Sequence, residues 1–166
     1  QMIDAYEEGL RLLNYGDDLA ASKKFSEAEL LYPQSIWAPR SSLMSAYSLY
    51  NSMYYLDAVD EIERFLKTYP NHERENYAYY ILAISYYDQI IDEKKDLAPL
   101  VNAKKNFEII LNKFPNSEFA FDAELKLEAI KEILASKEMY TARYYFEREK
   151  WVPAINRYKI ILTKYE

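Results

Sequence analysis

The sequence predicts an all-α fold, a solenoid of stacked helical hairpins. Three observations carry that prediction. An aromatic residue followed by Pro recurs at Tyr32-Pro33, Tyr69-Pro70 and Phe114-Pro115, with the prolines 37 and 45 positions apart. A triplet of small and large apolar residues at helical spacing precedes each landmark: Ala21, Phe25 and Ala28, then Ala58, Ile62 and Phe65, then Ala103, Phe107 and Ile110. Only 2 Gly occur in 166 residues, too few for the left-handed turns of a β-sandwich or a nucleotide-binding α/β fold.

A fourth triplet, Ala154, Tyr158 and Ile161, ends at Glu166, where the next Pro would fall. A small residue lies upstream of every triplet: Gly9, Ala46, Ala83 and Ala142. This is the tetratricopeptide pattern, in which two helices of a hairpin cross closely on Gly or Ala and a large residue fills the space beside them. One domain spanning 1–166 is expected, a right-handed superhelix with repeats at about 3–33, 35–70, 76–115 and 117–166.

The elements follow in order. Gly16 caps the first A helix, and Pro33 closes the first B helix because it cannot donate an i to i-4 bond. Pro39, Pro99 and Pro153 fall in first turns, where a missing N–H costs nothing. In repeat three the small residue precedes the triplet by 20 positions instead of 12. The eight extra residues, around Asp88 to Leu97, are charged and read as a surface loop. In repeat four Ala142 lies 27 residues after Pro115, against 13 for Ala46 after Pro33. The excess is close to four helical turns. Asn116-Ser117-Glu118 reads as a helix start, and Ser117 to Glu149, without Pro or Gly, reads as one long helix. The terminal hairpin is expected to leave Tyr158 and Ile161 uncovered.

The A helices of such a solenoid line its concave side. Leu12, Leu49, Tyr86 and Tyr145 are expected to pack inward. The groove-facing positions are Tyr6, Leu10 and Leu13 in repeat one, Leu43, Tyr47 and Tyr50 in repeat two, and Tyr80, Ile84 and Tyr87 in repeat three, flanked by Arg40 and Tyr77. Tetratricopeptide adaptors that clamp acidic tails present Lys, Asn and Arg at these places. Leu, Ile and Tyr suit instead an extended or helical segment with large apolar or aromatic side chains. The chain holds 18 Tyr, 7 Phe and 2 Trp, in keeping with a half-wet contact surface. The competing expectation is that these rings pack the superhelix against its own hairpins. Residues 137–166 carry seven Lys or Arg against four Asp or Glu, on a chain of net charge -6. A basic end on an acidic body favours an acidic partner there, with ordinary solvated helix faces as the alternative.

Other chemistries are disfavoured. There is no Cys and a single His, His72, so thiol catalysis, Ser-His pairs and zinc sets lack their residues. No Gly-rich phosphate loop occurs, and the acid pairs Asp17-Asp18 and Asp92-Glu93 fall in connections. No catalytic activity and no cofactor or metal are expected. A pI near 5.0 argues against nucleic acid, and no apolar run reaches the roughly 20 residues of a membrane span.

Several segments carry a closer likeness: Tyr32-Pro33-Gln34-Ser35-Ile36-Trp37-Ala38, Tyr77-Ala78-Tyr79-Tyr80, Phe114-Pro115-Asn116-Ser117-Glu118-Phe119, Asp122-Ala123, Leu134-Ala135-Ser136-Lys137-Glu138, Ala142-Arg143-Tyr144-Tyr145 and Trp151-Val152-Pro153-Ala154-Ile155-Asn156-Arg157-Tyr158. Over nearly its whole length the chain resembles the BamD family, the tetratricopeptide lipoproteins of the β-barrel assembly machinery (BAM), including the long helix before the last hairpin. The resemblance implies a scaffold and substrate-recognition subunit at the periplasmic face of the outer membrane, held there by a lipid anchor. It implies docking of the periplasmic repeats of BamA on the C-terminal part, with Arg143, Arg148, Asn156 and Arg157 as candidates. It further implies contact with other BAM lipoproteins, and recognition of aromatic-rich C-terminal signals of outer-membrane protein precursors by the N-terminal repeats. The family carries a lipidated N-terminal Cys and a fifth repeat, which this sequence lacks, so a fragment shortened at both ends is expected. The connection Asp92 to Asp96 departs from the family's usual loop. Another tetratricopeptide adaptor of envelope biogenesis or division is the alternative.

Overall fold

The structure is a computed structural model, and it describes residues 1–89 and 97–165. Among the described residues eight helices follow one another: α1 (Met2–Asn14), α2 (Asp18–Leu31), α3 (Ala38–Asn51), α4 (Tyr55–Thr68), α5 (Glu75–Asp88), α6 (Ala98–Lys113), α7 (Ala120–Phe146) and α8 (Trp151–Lys164). No strand occurs among the described residues. Each helix packs on its chain neighbour, and α3 also touches α5. Helices α3 and α5, the first helices of successive hairpins, touch directly, as the first helices that line the inner side of a helical-repeat fold do.

The packing follows the small-and-large pattern. Ala46, Ala83 and Ala142 are fully buried, and so are Phe25, Phe65 and Phe107. Burial of each Phe contributes about 1.5–3 kcal/mol. Gly9 is buried too, and a Cβ built on it would stand 2.7 Å from the Phe25 ring. Leu12, Leu49, Tyr86 and Tyr145 are half-buried. One contiguous core runs from Leu43 to Ile130 across α3 to α7. Between α2 and α3 the close approach is lined by serines: Ser45 shares hydrogen bonds with Ser22 (3.1 Å) and Ser26 (2.9 Å).

A charged seam joins repeats one and two. Arg64 donates to both oxygens of Glu29 at 2.9 and 2.5 Å, and also to Glu61 and to Ser42. Tyr69 donates to Glu29 at 2.8 Å. Glu29, nearly buried on α2, is therefore fully engaged, as a buried carboxylate must be.

The turns repeat as backbone rather than as sequence. After α1 the N–H of Asp17 bonds the carbonyl of Leu12, and that of Gly16 bonds Leu13. After α3 Tyr54 bonds Leu49 and Met53 bonds Tyr50, and after α7 Lys150 bonds Tyr145 and Glu149 bonds Phe146. All three are Schellman turns, with Gly16 (φ +81°), Met53 (φ 63°) and Glu149 (φ 57°) in the left-handed position. Asp17 caps α2 by accepting from the Ala20 N–H at 3.2 Å.

Two sequence expectations need correction, and a third lies largely outside the described residues. The long helix begins at Ala120 and ends at Phe146, not at Ser117 and Glu149. Residues 115–119 form two consecutive turns, with Ser117 N–H bonded to Phe114 and Ala120 N–H to Ser117, and Glu149 belongs to the following Schellman turn. The uncovered large apolar side chains of α8 are Trp151, Val152, Ile155 and Leu162. Tyr158 and Ile161 are half-buried, one turn and two turns beyond buried Ala154 on the face turned to α7. The loop expected around Asp88 to Leu97, with its acid pair Asp92-Glu93, lies for residues 90–96 outside the described residues.

Candidate functional site

The concave face is built by α1, α3, α5 and the first turns of α7. In repeat one the Tyr6 ring meets Phe25 (5.3 Å) and Trp37 (5.4 Å) edge-on. Leu13 is half-buried, and Leu10 is 36% exposed. In repeat three Tyr80 stacks on Phe119, with centroids 4.7 Å apart and planes 22° apart, and Tyr77 meets the same ring at 5.6 Å. Tyr6 and Tyr80 each stand three residues before their repeat's small residue. Trp37 and Phe119 occupy matching places, because Tyr32–Ala38 and Phe114–Ala120 share the pattern aromatic-Pro-x-Ser-x-aromatic-Ala and the same turn hydrogen bonds.

The tyrosine hydroxyls tie consecutive repeats together. Tyr50 on α3 donates to Asp88 at the end of α5 (2.5 Å), and Tyr80 on α5 donates to Asp122 on α7 (2.8 Å). Lys126 lies 5.1 Å from the Tyr87 ring centroid and 3.9 Å from Asp122. Burial pushes the hydroxyls of Tyr50, Tyr77 and Tyr80 above the ordinary tyrosine range, and for Tyr50 and Tyr80 the bond to a carboxylate adds to it. Tyr6 is raised by burial, opposed by the nearby charge of Arg40.

The predicted groove residues divide into three groups. Tyr6, Leu13, Tyr47, Tyr50, Tyr77, Tyr80 and Tyr87 are half-buried, while Leu10 and Arg40 are exposed. Leu43 and Ile84 are not groove residues: at 4% and 7% exposure they belong to the core. The neighbouring repeats cover what a solitary hairpin would show. The tyrosines combine both expectations, since Tyr47, Tyr50, Tyr77, Tyr80 and Tyr87 pack against the core and keep part of their surface open. Trp37, Phe119, Asp88 and Asp122 were not predicted. The repeated turn pattern carries a signal for the first two.

At the other end, Arg143, Arg148 and Asn156 are exposed on the α7–α8 hairpin. The Arg148 guanidinium lies over the Tyr144 ring, 3.6 Å from its centroid. Arg157 differs, because its Nη1 donates to both oxygens of Glu138 at 3.2 and 3.0 Å, which neutralises it within the fold. Around these residues lie exposed Tyr140, Phe146, Trp151 and Ile155, with Phe146 and Trp151 packed edge-on at 5.2 Å across the turn. This end is as aromatic as it is basic. Charge counting captured only the second property.

His72 is used locally: its Nδ1 accepts from the Arg74 N–H at 3.1 Å and its ring abuts Phe65. Among the described residues no group of three or more His, Cys, Asp or Glu is placed to hold a metal, and no helix is long and apolar enough to cross a membrane.

Comparison with known proteins places this geometry in a family. The chain is 34% identical over 161 residues to the outer membrane protein assembly factor BamD of Caulobacter vibrioides, covering 97% of this chain and 53% of that protein. It is equally similar to the BamD of Rickettsia prowazekii, with 97% and 64% covered, and 31% identical to that of Xylella fastidiosa, with 96% and 58% covered. It thus spans between half and two thirds of the length of these relatives. The family model described as YfiO, outer membrane lipoprotein, matches residues 1–166, and the chain belongs to that family.

Proposed function

We propose that this chain is a non-catalytic scaffold and substrate-recognition unit in the assembly of outer-membrane β-barrel proteins, working at the periplasmic face of the outer membrane. The observation that carries the proposal is the row of half-open rings from Tyr6 and Trp37 through Tyr47 and Tyr77 to Tyr80 and Phe119 along the concave face. Rings fixed by the core on one side and open on the other lose little entropy on binding and offer π-faces to aromatic side chains. A precursor segment rich in aromatic residues is the matching guest. The α7–α8 end, with Arg143, Arg148 and Asn156 among exposed aromatics, docks the periplasmic repeats of BamA. The names borne by the relatives support membership of the same machinery.

Two binding experiments test the two surfaces separately. A peptide ending in an aromatic residue is titrated against the protein and against Tyr47→Ala and Tyr80→Ala variants whose thermal unfolding shows that they remain folded. The variants are expected to bind at least several-fold more weakly, and unchanged affinity rules the groove out. Isolated BamA repeats are titrated against Arg148→Glu and Trp151→Ala. Loss of affinity in both supports the docking end, and Arg157→Glu is expected to matter less because Arg157 is already paired.

A further inference from the structure

A cleft of about 600 Å³ opens beside the groove, where the turn at the head of α3 faces the turn between α4 and α5. That volume lies within the range of ligand clefts, about 300–1,000 Å³. Its lining includes the apolar surfaces of Ile36, Pro39, Tyr69 and Pro70, with Arg40, Asn71 and His72 as nitrogen donors and Glu73 as an acid. We propose that this cleft receives the last residue of the bound segment, with the terminal α-carboxylate held by Arg40 and the side chain laid against the apolar lining. The proposal rests on the reading that the concave face binds an aromatic-rich precursor segment, and it adds which end of that segment is read and by what.

Four observations support it. First, Arg40 belongs to both places: its guanidinium lies 5.4 Å over the Trp37 ring, near Tyr6, and it also lines the cleft. Arg40 is thus shared by the groove and the cleft. Second, the guanidinium is only loosely engaged. Its ion-pair partner, Glu73, stands 4.0 Å away, and both side chains are more than half exposed. A carboxylate that forms a two-point contact with the planar guanidinium gains a stronger bond than this pair supplies. Third, His72 accepts the Arg74 N–H at Nδ1, which in the neutral ring leaves Nε2 as a second donor. Fourth, the walls are held. Tyr69 is fixed by its bond to Glu29 and His72 by its packing on Phe65, so the cleft exists before a guest arrives.

The test uses a short synthetic peptide with alternating aromatic residues, ending in Phe and labelled at its N-terminus, prepared once with a free C-terminal carboxylate and once as the amide. Binding is read by fluorescence anisotropy. The intact protein is expected to favour the carboxylate about tenfold, as a charge-assisted bond to Arg predicts. Arg40→Gln, at an exposed side chain where folding is easily checked by circular dichroism, is expected to bind both peptides equally. Glu73→Gln, which removes the competing carboxylate, is expected to widen the preference. Equal binding of the two peptides to the intact protein, or a preference that survives Arg40→Gln, overturns the proposal and leaves the groove reading intact. Failure of both peptides to bind removes the groove reading and this proposal together.

Discussion

The Tyr80 ring lies nearly parallel to Phe119, 4.7 Å away, while its hydroxyl donates to Asp122 one turn further along α7. One side chain on α5 thus grips α7 by stacking and by hydrogen bonding. The two interactions separate by substitution. Tyr80→Phe removes the hydroxyl alone and is expected to lower stability by about 1 kcal/mol. A double-mutant cycle on Tyr80→Ala and Phe119→Ala is expected to give a coupling of about 0.5–1.5 kcal/mol. Both are read from urea unfolding, and a coupling near zero shows that the stack adds nothing beyond burial.

Gly9 provides a test of close helix crossing. A Cβ there would meet the Phe25 ring at 2.7–3.0 Å, and that ring is fully buried. Alanine gains about 1 kcal/mol of helix propensity, but overpacking typically costs 1–3 kcal/mol. Gly9→Ala is expected to destabilise by about 1 kcal/mol. Adding Phe25→Leu should shrink that penalty, because the smaller side chain makes room.

Met53 sits at φ 63° with 75% of its surface exposed. It therefore bears the left-handed strain while its side chain contributes little packing. Met53→Gly is expected to raise stability by up to about 1 kcal/mol, the relief of strain exceeding the extra entropy of glycine in the unfolded chain. Gly16→Ala, at φ +81°, is expected to lower it by about 1–2 kcal/mol. Thermal melts of the two variants should move in opposite directions.

Arg64 holds Glu29, which is nearly buried, and Glu61 beside it. Arg64→Ala leaves two carboxylates facing each other with no cation. The expected loss is about 2–4 kcal/mol, below the full range for a buried pair because Arg64 is itself 43% exposed. Adding Glu29→Gln to Arg64→Ala should restore part of it.

Alkaline pH should loosen the fold through its tyrosines, over a range that overlaps ordinary lysine titration. Burial and the bond to Glu29 push Tyr69 up to about 12, and Tyr50, Tyr77, Tyr80 and Tyr86 are raised as well. A raised tyrosine keeps its proton longer in the folded state than in the unfolded chain, whose value is about 10. Its contribution is therefore complete below pH 10 and is lost as pH climbs toward 12. The melting temperature is expected to fall over that window, together with tyrosinate absorbance appearing later than in the denatured protein.

The repeat frame was legible because helix crossings and helix ends obey local rules. Gly9, Ala46, Ala83 and Ala142 marked the contacts, and Pro33, Pro70 and Pro115 marked the stops. The groove was only partly legible. Spacing identifies the face on which Leu43 and Ile84 lie, but it does not show how deeply the next repeat covers that face, and both proved to be core. Arg157 counted as free charge until the fold set Glu138 beside it, 19 residues away in sequence. The apolar character of the C-terminal end escaped because Tyr140, Phe146, Trp151 and Ile155 lie on two helices, and Phe146 meets Trp151 only once α8 folds back on α7.

The helix α7 runs unbroken through 27 residues, about 40 Å at 1.5 Å per residue. It contains neither Pro nor Gly, so it lacks the usual causes of a sharp bend. Its first turns form the last wall of the aromatic channel, and its final turns carry Tyr140, Tyr144 and Phe146. Mechanically it is a stiff lever whose two handles belong to different surfaces, so a load that tilts one handle is transmitted along the rod to the other.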